Sequence, residues 1–296
     1  MKIATWNIYW LGDRFGEFIK RIEADYLLIA QIIQNMSPDV LALEEIVDPE
    51  VLEHILKLAS GNGKNYIIRN PLDESWMTSD TNPTDGTKNL QKVFLCINTE
   101  TVEFVHGDKI QGASGRKPFA ALLRNKETET EFVTVAVHLR SGYPVFLDPE
   151  DAQFRKQEVE SLTSWIKGQS EDKNPSYPKP DSDNIIVLGD FNAEFNDPNH
   201  SLDDFKGNGF SDWLFTNAQP DGNHPETAID DHYVIDFIML SPALKQKIVS
   251  SPTIYTWDFD KNLGGAEKFH DGVGGSGKLK NYGVSDHRPV MTVLKL

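Results

Sequence analysis

Six apolar runs in this chain are each punctuated at one end by a side chain that can hold a metal or move a proton, and no other feature constrains the fold as much. KIATW runs into Asn7, DVLALE into Glu45, FVTVAV into His138, and NIIVLG into Asp190, with Asn192 two residues further on. Asp236 opens the run DFIML, and Asp286-His287 stand just before PVMTVL. Runs of this length and apolarity read as buried strands. If the last two run antiparallel to the first four, their beginnings lie where the others end. Six segments then converge on one solvent-facing rim.

The rest of the pattern supports a layered fold. Further strands are expected at 66–69, 92–98, 119–124 and 252–257, and amphipathic helices over 15–36, over Asp48-Pro49 to Ser60 as cap and first-turn proline, and over 150–167. Strands mixed with helices argue α/β or α+β layers. The long polar connections at 72–91, 168–184 and 258–285 are of the kind that is usually functional or disordered. A single cysteine, Cys96, rules out an intramolecular disulfide framework and a multi-cysteine zinc site. No stretch approaches the roughly 18 consecutive apolar residues of a membrane span. The chain carries no recognisable address label, which fits a cytoplasmic protein and equally an extracellular one whose leader has been removed.

Asn7, Glu45, Asp190, Asn192, Asp236 and Asp286 offer oxygen, while His138 and His287 offer nitrogen. Hard oxygen ligands favour Mg2+ or Mn2+, with Ca2+ possible. Carboxylates gathered without such a cation repel one another and drift toward protonation, so a divalent ion makes the cluster tolerable.

The segments TWNI at 5–8, ALEEI at 42–46, VAVHLRSG at 135–142, LGDFNAEF at 188–195, IDFIML at 235–240 and SDHRPV at 285–290 resemble, in order, the signature blocks of the endonuclease/exonuclease/phosphatase superfamily. His138 and Arg116 in GRKPFAALL resemble its DNase-I-like branch. The resemblance implies a four-layer sandwich of two packed mixed β-sheets flanked by helices. Because the blocks interleave from 5 to 290, it also implies one domain over 1–296, with 168–184 an insertion rather than a linker. It further implies that Glu45 is the principal metal ligand, helped by Asn7 and Asp286, that Asp190 orients or activates the attacking water, and that Asn192 donates to the phosphate oxygen that gains charge. His287, paired with Asp236, would act as base or phosphate-binding cation, His138 as proton donor or phosphate ligand from the other side, and Arg116 as the arginine on a backbone phosphate. Glu44 stands where the family commonly has glutamine, adding a carboxylate beside the metal or pointing away from it.

Each residue also has a plainer reading. Asn7 fits a strand-end cap, Glu45 a helix-entry acid and Asp190 a turn residue. Arg140 and Arg155 fit phosphate-gripping or surface-lying arginines. Gly272 to Lys278 imitates a phosphate-binding loop, but Leu279 replaces the required Ser or Thr, so a glycine-rich loop is the better reading. His224, Asp230, Asp231 and His232 read as a solvated loop before a second metal site, and Trp10, Trp76 and Trp257 as packing before base stacking.

Within the superfamily, 45 acidic against 29 basic residues, a formal charge of −16, weigh against a protein that coats polyanions. Arg116, Lys117 and Arg140 and the lysines of 258–285 keep DNA open as a local substrate. The expectation is a divalent-metal-dependent, DNase-I-like nuclease hydrolysing DNA by in-line attack of water. The alternatives are a phosphatase or phosphodiesterase for a small-molecule or lipid phosphoester, and a non-catalytic binding protein that keeps the fold.

Overall fold

Two crossovers organise the chain. In a computed structural model, β1 (Lys2–Leu11) is followed by α1 (Glu23–Met36) and then β2 (Val40–Ile46), which lies parallel to β1. The second crossover joins β7 (Glu131–His138), α3 (Pro149–Ile166) and the parallel strand β8 (Ile185–Asp190). The structure describes residues 1–12, 21, 23–60, 65–69, 92–110, 118–141, 149–168, 183–194, 201–208, 211–212, 227, 233–255, 284–285 and 287–296. Arg116, Asp286, Trp76, Trp257, the 272–278 glycine segment, the 224–232 His/Asp group and nearly all of the three long polar connections lie outside them.

Each crossover is extended by antiparallel strands into a six-stranded mixed sheet. The first has the order β11-β12-β1-β2-β4-β3, with β3 Tyr66–Arg69, β4 Lys92–Asn98, β11 Ile248–Ile254 and β12 Val290–Leu294. The second has the order β5-β6-β7-β8-β10-β9, with β5 Val102–Lys109, β6 Phe119–Asn125, β9 Ser211–Asp212 and β10 Asp236–Leu240. Two further helices are α2 (Pro49–Ala59) and the short α4 (Asp203–Gly207), and a 3-10 turn covers Pro242–Lys247. Asp48 caps α2 as expected, its carboxylate accepting from Glu50 N–H at 2.9 Å, and Pro49 occupies the first turn, where its missing donor does no harm.

Period-two alternation sorts these strands into three apolar layers. Ala4, Trp6, Ile8, Leu41 and Leu43 pack against α1 and α2. Val133, Val135, Val137, Val187, Phe237 and Met239 pack under α3 and α4 with Val159, Leu162 and Phe205. Ile3, Val40 and Ala42 from one sheet meet Phe132, Ala136, Ile186, Leu188, Ile238 and Leu240 from the other. The four-layer sandwich expected from the resemblance is therefore the architecture observed.

The differences from the sequence reading have local causes. Strand β5 escapes it because VEFVHGDK is an edge strand with little apolar contrast. Strand β11 is expected at 252–257 but begins at Ile248. Pro252 falls inside the strand because β11 is an edge strand with irregular register around Ser250 and Thr253, where a missing donor is tolerated. The first helix starts at Glu23, with 13–20 and 22 outside the described residues.

Candidate active site

The inward-facing stripe of each central strand carries an acid–base or ligand-capable residue toward the same end of the sheets. Asn7 continues the face of Ile3 and Thr5, Glu44 that of Val40 and Ala42, His138 that of Phe132 and Ala136, and Asp190 that of Ile186 and Leu188, while Asp236 precedes Ile238 and Leu240. Register brings the ends level: His138 lies opposite Asp190, Asp190 opposite Asp236, and Asn7 opposite Glu44. Strands β10 and β12 are antiparallel to β8 and β1, so the convergence of ends and beginnings is realised. The rim itself needs correction. Asp190 and His287 are 2% and 8% exposed, so these groups sit in the end of the intersheet layer rather than on an open edge.

Glu45 reaches the same place by a different route. Alternation alone would send it toward the helices with Leu41 and Leu43, but its φ of +61° and a register break between Leu43 and Ile46 turn its side chain toward Asn7. Asn7 Nδ2 donates to Asp190 Oδ2 at 2.9 Å and to Glu45 Oε1 at 3.3 Å, and Asn7 Oδ1 accepts from Tyr9 N–H at 2.9 Å. His138 Nε2 is 3.5 Å from Asp190 Oδ2 and 3.7 Å from Glu45 Oε1. Asn192, in the left-handed region at φ +47° that asparagine tolerates, donates its N–H to Asp190 Oδ1 at 2.8 Å and Nδ2 to the Leu139 carbonyl at 3.0 Å. His287 Nδ1 and Asp236 Oδ2 are 2.8 Å apart. One ligand-capable atom from each of Asp190, Asp236 and His287 lies within 4.8 Å of the others.

Burial, and after it the neighbouring carboxylate of Asp236, raises the Asp190 pKa from 3.8 to about 7, against the opposing pull of His287, Asn192 N–H and Asn7. Glu44 is fully buried and directed between the sheets. Its Oε1 accepts from Thr5 Oγ1 at 2.8 Å, and burial, followed by Asp236, pushes its carboxyl well above the usual range. The residue that departs from the family pattern thus lies beneath the cluster.

Several supporting residues carry no signal of their own in the sequence, although three lie inside the motif blocks. Thr5 holds Glu44. Trp6 Nε1 donates to the His287 carbonyl at 2.9 Å, and Ser285 Oγ donates to the Asn7 carbonyl at 2.6 Å while accepting His287 N–H at 3.0 Å. The Thr227 hydroxyl accepts Ile235 N–H at 2.8 Å and Asp236 N–H at 3.1 Å, fixing the start of β10. Arg21 Nη2 reaches the carbonyls of Ile8, Tyr9 and Val284 at 2.6, 2.8 and 2.8 Å, tying the end of β1 to the segment that enters β12. A guanidinium suits such a task because it presents several fixed donors at once.

The two candidate arginines near His138 are turned elsewhere. Arg140 Nε bonds Asp151 Oδ1 at 2.6 Å and its guanidinium lies 4.6 Å from the centre of the Phe154 ring, so its side chain is held on α3. Arg155 does not lie along the surface. It is buried and donates to the Arg140 carbonyl at 3.2 Å.

A family model described as the endonuclease/exonuclease/phosphatase family matches residues 4–287. Among curated proteins, a "Deoxyribonuclease" of Thioalkalivibrio sp. (strain K90mix) is 25% identical over 203 residues, covering 65% of this chain and 46% of that protein. The chain therefore spans about half the length of this relative. Among solved structures, a mannosyl-6-phosphatase of Bacteroides thetaiotaomicron VPI-5482 aligns with a TM-score of 0.61 at 16% identity, covering 99% of each chain. The human Nocturnin catalytic domain with bound sulfate aligns at 0.59 and 18%, covering 99% of this chain and 93% of the other. D. rerio TDP2 with a single-strand DNA product aligns at 0.60 and 16%, covering 99% and 97%. At such identities these structures speak for the fold alone.

Proposed function

The chain belongs to the endonuclease/exonuclease/phosphatase family, whose members hydrolyse phosphoesters, and from that premise we propose that it is a divalent-metal-dependent phosphodiesterase acting on DNA. The observation that carries this reading is the Asp190 carboxylate, held on one oxygen by Asn192 N–H and on the other by Asn7 Nδ2, with two histidines beside it. That is the geometry of a base kept in one orientation.

The cluster fits a cation. Glu44 Oε2 and Asp236 Oδ1 are buried oxygens with no hydrogen-bond partner among the described residues, and Asp190 is held partly protonated near neutrality by burial and by Asp236. Glu45, Asn7 and Asp286 would hold Mg2+ or Mn2+, and Asp190, Asp236 and His287 offer further donors. When bound, such an ion stabilises negative charge on the phosphoryl oxygens.

The chain's own groups supply the rest. Asp190 orients the attacking water and takes its proton as the water oxygen bonds to phosphorus. Asn192 donates its remaining Nδ2 hydrogen to the phosphoryl oxygen that gains charge. His287, fixed through Nδ1 by Asp236, presents Nε2 to the phosphate. His138, across the cluster, protonates the leaving oxygen as the ester P–O bond breaks.

DNA is preferred because a relative matching 65% of the chain is called a deoxyribonuclease. The net charge of −16 favours a second reading, a small phosphoester that needs no basic track. Titrating Mg2+ and Mn2+ against plasmid DNA and bis-p-nitrophenyl phosphate separates them. Nicked plasmid supports the nuclease, turnover of the small ester alone supports the second reading, and inactivity with every divalent ion refutes both.

A further inference from the structure

The peptide units that follow β7 are gripped from two sides. Strand pairing between β7 and β8 ends at His138 and Asp190, and a chain leaving a sheet must find new partners for its buried N–H and C=O groups. Leu139 N–H still donates to the Asp190 carbonyl at 2.9 Å, and the Leu139 carbonyl accepts from Asn192 Nδ2 at 3.0 Å. At the next residue the partners come from α3. Arg140 N–H donates to Glu158 Oε2 at 2.9 Å, and the Arg140 carbonyl accepts from Arg155 Nη1 at 3.2 Å.

Arg155 and Glu158 stand three residues apart on one face of α3 and are 1% and 2% exposed. Burying ionisable side chains to serve a turn that neutral groups could serve is costly. Charge-assisted hydrogen bonds are shorter and stronger than neutral ones, which matters where a peptide plane must not rotate.

We propose that Glu158 is a positioning residue that holds the 139–140 peptide plane, with Arg155 fixing the next one through the Arg140 carbonyl, so that Asn192 aims its second Nδ2 hydrogen at the reacting phosphoryl group. The Leu139 carbonyl and the Arg140 N–H belong to one planar, trans peptide unit, so they point in opposite directions and move together. Glu158 pulls on one edge of that plane and Asn192 holds the other. An amide nitrogen carries two hydrogens, and fixing one on the Leu139 carbonyl sets the direction of the other. A tilt of the plane is therefore delivered to Asn192. What Asn192 then touches rests on the phosphodiesterase reading, whereas the coupling from Glu158 to Asn192 does not.

The test is a double-mutant cycle on the full chain with Mn2+ and bis-p-nitrophenyl phosphate, or plasmid DNA if only that is turned over. Glu158→Ala, and Glu158→Asp in case the alanine variant fails to fold, should lower kcat about tenfold to a hundredfold, as a small misplacement of a catalytic group does, with KM and calorimetric Mn2+ affinity unchanged. Glu158→Gln, which can still accept from Arg140 N–H, should recover most of kcat. In an Asn192→Ala background neither truncation should cause further loss. Full kcat in both truncations, or losses that multiply with that of Asn192→Ala, would overturn the proposal. If the wild-type protein hydrolyses neither substrate, the functional reading fails, but the lever is still read by the 15N–1H2 resonances of the Asn192 amide. Displacement in Glu158→Asp, with the surface variant Lys156→Ala unmoved, supports the coupling; an unmoved Asn192 pair in Glu158→Asp overturns it.

Discussion

Replacing Asp190 by asparagine should make the metal-free protein more stable at neutral and alkaline pH, although it removes a catalytic group. Asp190 titrates near 3.8 when unfolded and at about 7 when folded, chiefly because it is buried and next because Asp236 is near. A carboxyl whose folded pKa is raised contributes stability that is fully present below the unfolded value and is lost as the pH rises through the folded value. At about 1.36 kcal/mol per unit, the loss reaches about 4 kcal/mol by roughly pH 8. Asparagine does not titrate, so its stability lacks this decline. It does set a second NH2 against Asn7 Nδ2, which now donates to Asp190 Oδ2 at 2.9 Å, and forfeiting that bond costs about 1 kcal/mol at every pH. The variant should thus be about 1 kcal/mol less stable than wild type near pH 4 and about 3 kcal/mol more stable near pH 8. Urea unfolding in EDTA, followed by tryptophan fluorescence, measures both curves, since Trp6 is fully buried. Saturating Mn2+ should narrow the gap at high pH by stabilising the wild type more. A difference between variants that stays constant from about pH 4 to pH 8 would refute the reasoning that repulsion in a buried carboxylate cluster is relieved by a proton or a cation.

The other expectations are simpler. His287→Ala should lower kcat by about 10² to 10³ while keeping the circular dichroism spectrum, as removal of a donor to the reacting phosphoryl group does; retained activity would remove His287 from the mechanism. Glu45→Gln should raise the Mn2+ dissociation constant measured by calorimetry, with some activity returning at high metal concentration. Glu44→Gln, which replaces a buried carboxyl whose pKa is driven up by burial and then by Asp236, should stabilise the metal-free protein at pH values above the carboxyl's folded pKa and change little in acid, as followed by thermal unfolding. Gly189→Ala should destabilise by about 1–3 kcal/mol or more, since a side chain at φ +142° is strained and its Cβ would collide with the Val137 carbonyl oxygen; an unchanged urea midpoint would contradict this.

What the amino-acid order determined was the face and the end of each strand. Two-residue periodicity places Ile3, Thr5 and Asn7 on one side of β1 and Ile186, Leu188 and Asp190 on one side of β8, so the side on which Asn7 and Asp190 fall is legible from the order of residues alone. The six ordered blocks did the same for family and architecture. Edge strands were harder to read, because β5 and β11 carry little apolar contrast and tolerate irregularities that a central strand would not.

The partners were decided only by tertiary structure. Whether Glu44 faced the cluster or pointed away, whether Arg140 and Arg155 faced phosphate or protein, and how deeply Asp190 lay buried all depend on which surfaces cover one another, and sequence spacing carries no such information. Two sheets pressed face to face bring Asn7 within 2.9 Å of Asp190, 183 residues later, and a left-handed backbone at Glu45 overrides the alternation that would have sent it to the other side. The same packing buries the carboxylates together, and the resulting loss of water and mutual repulsion lift the Asp190 pKa toward neutrality.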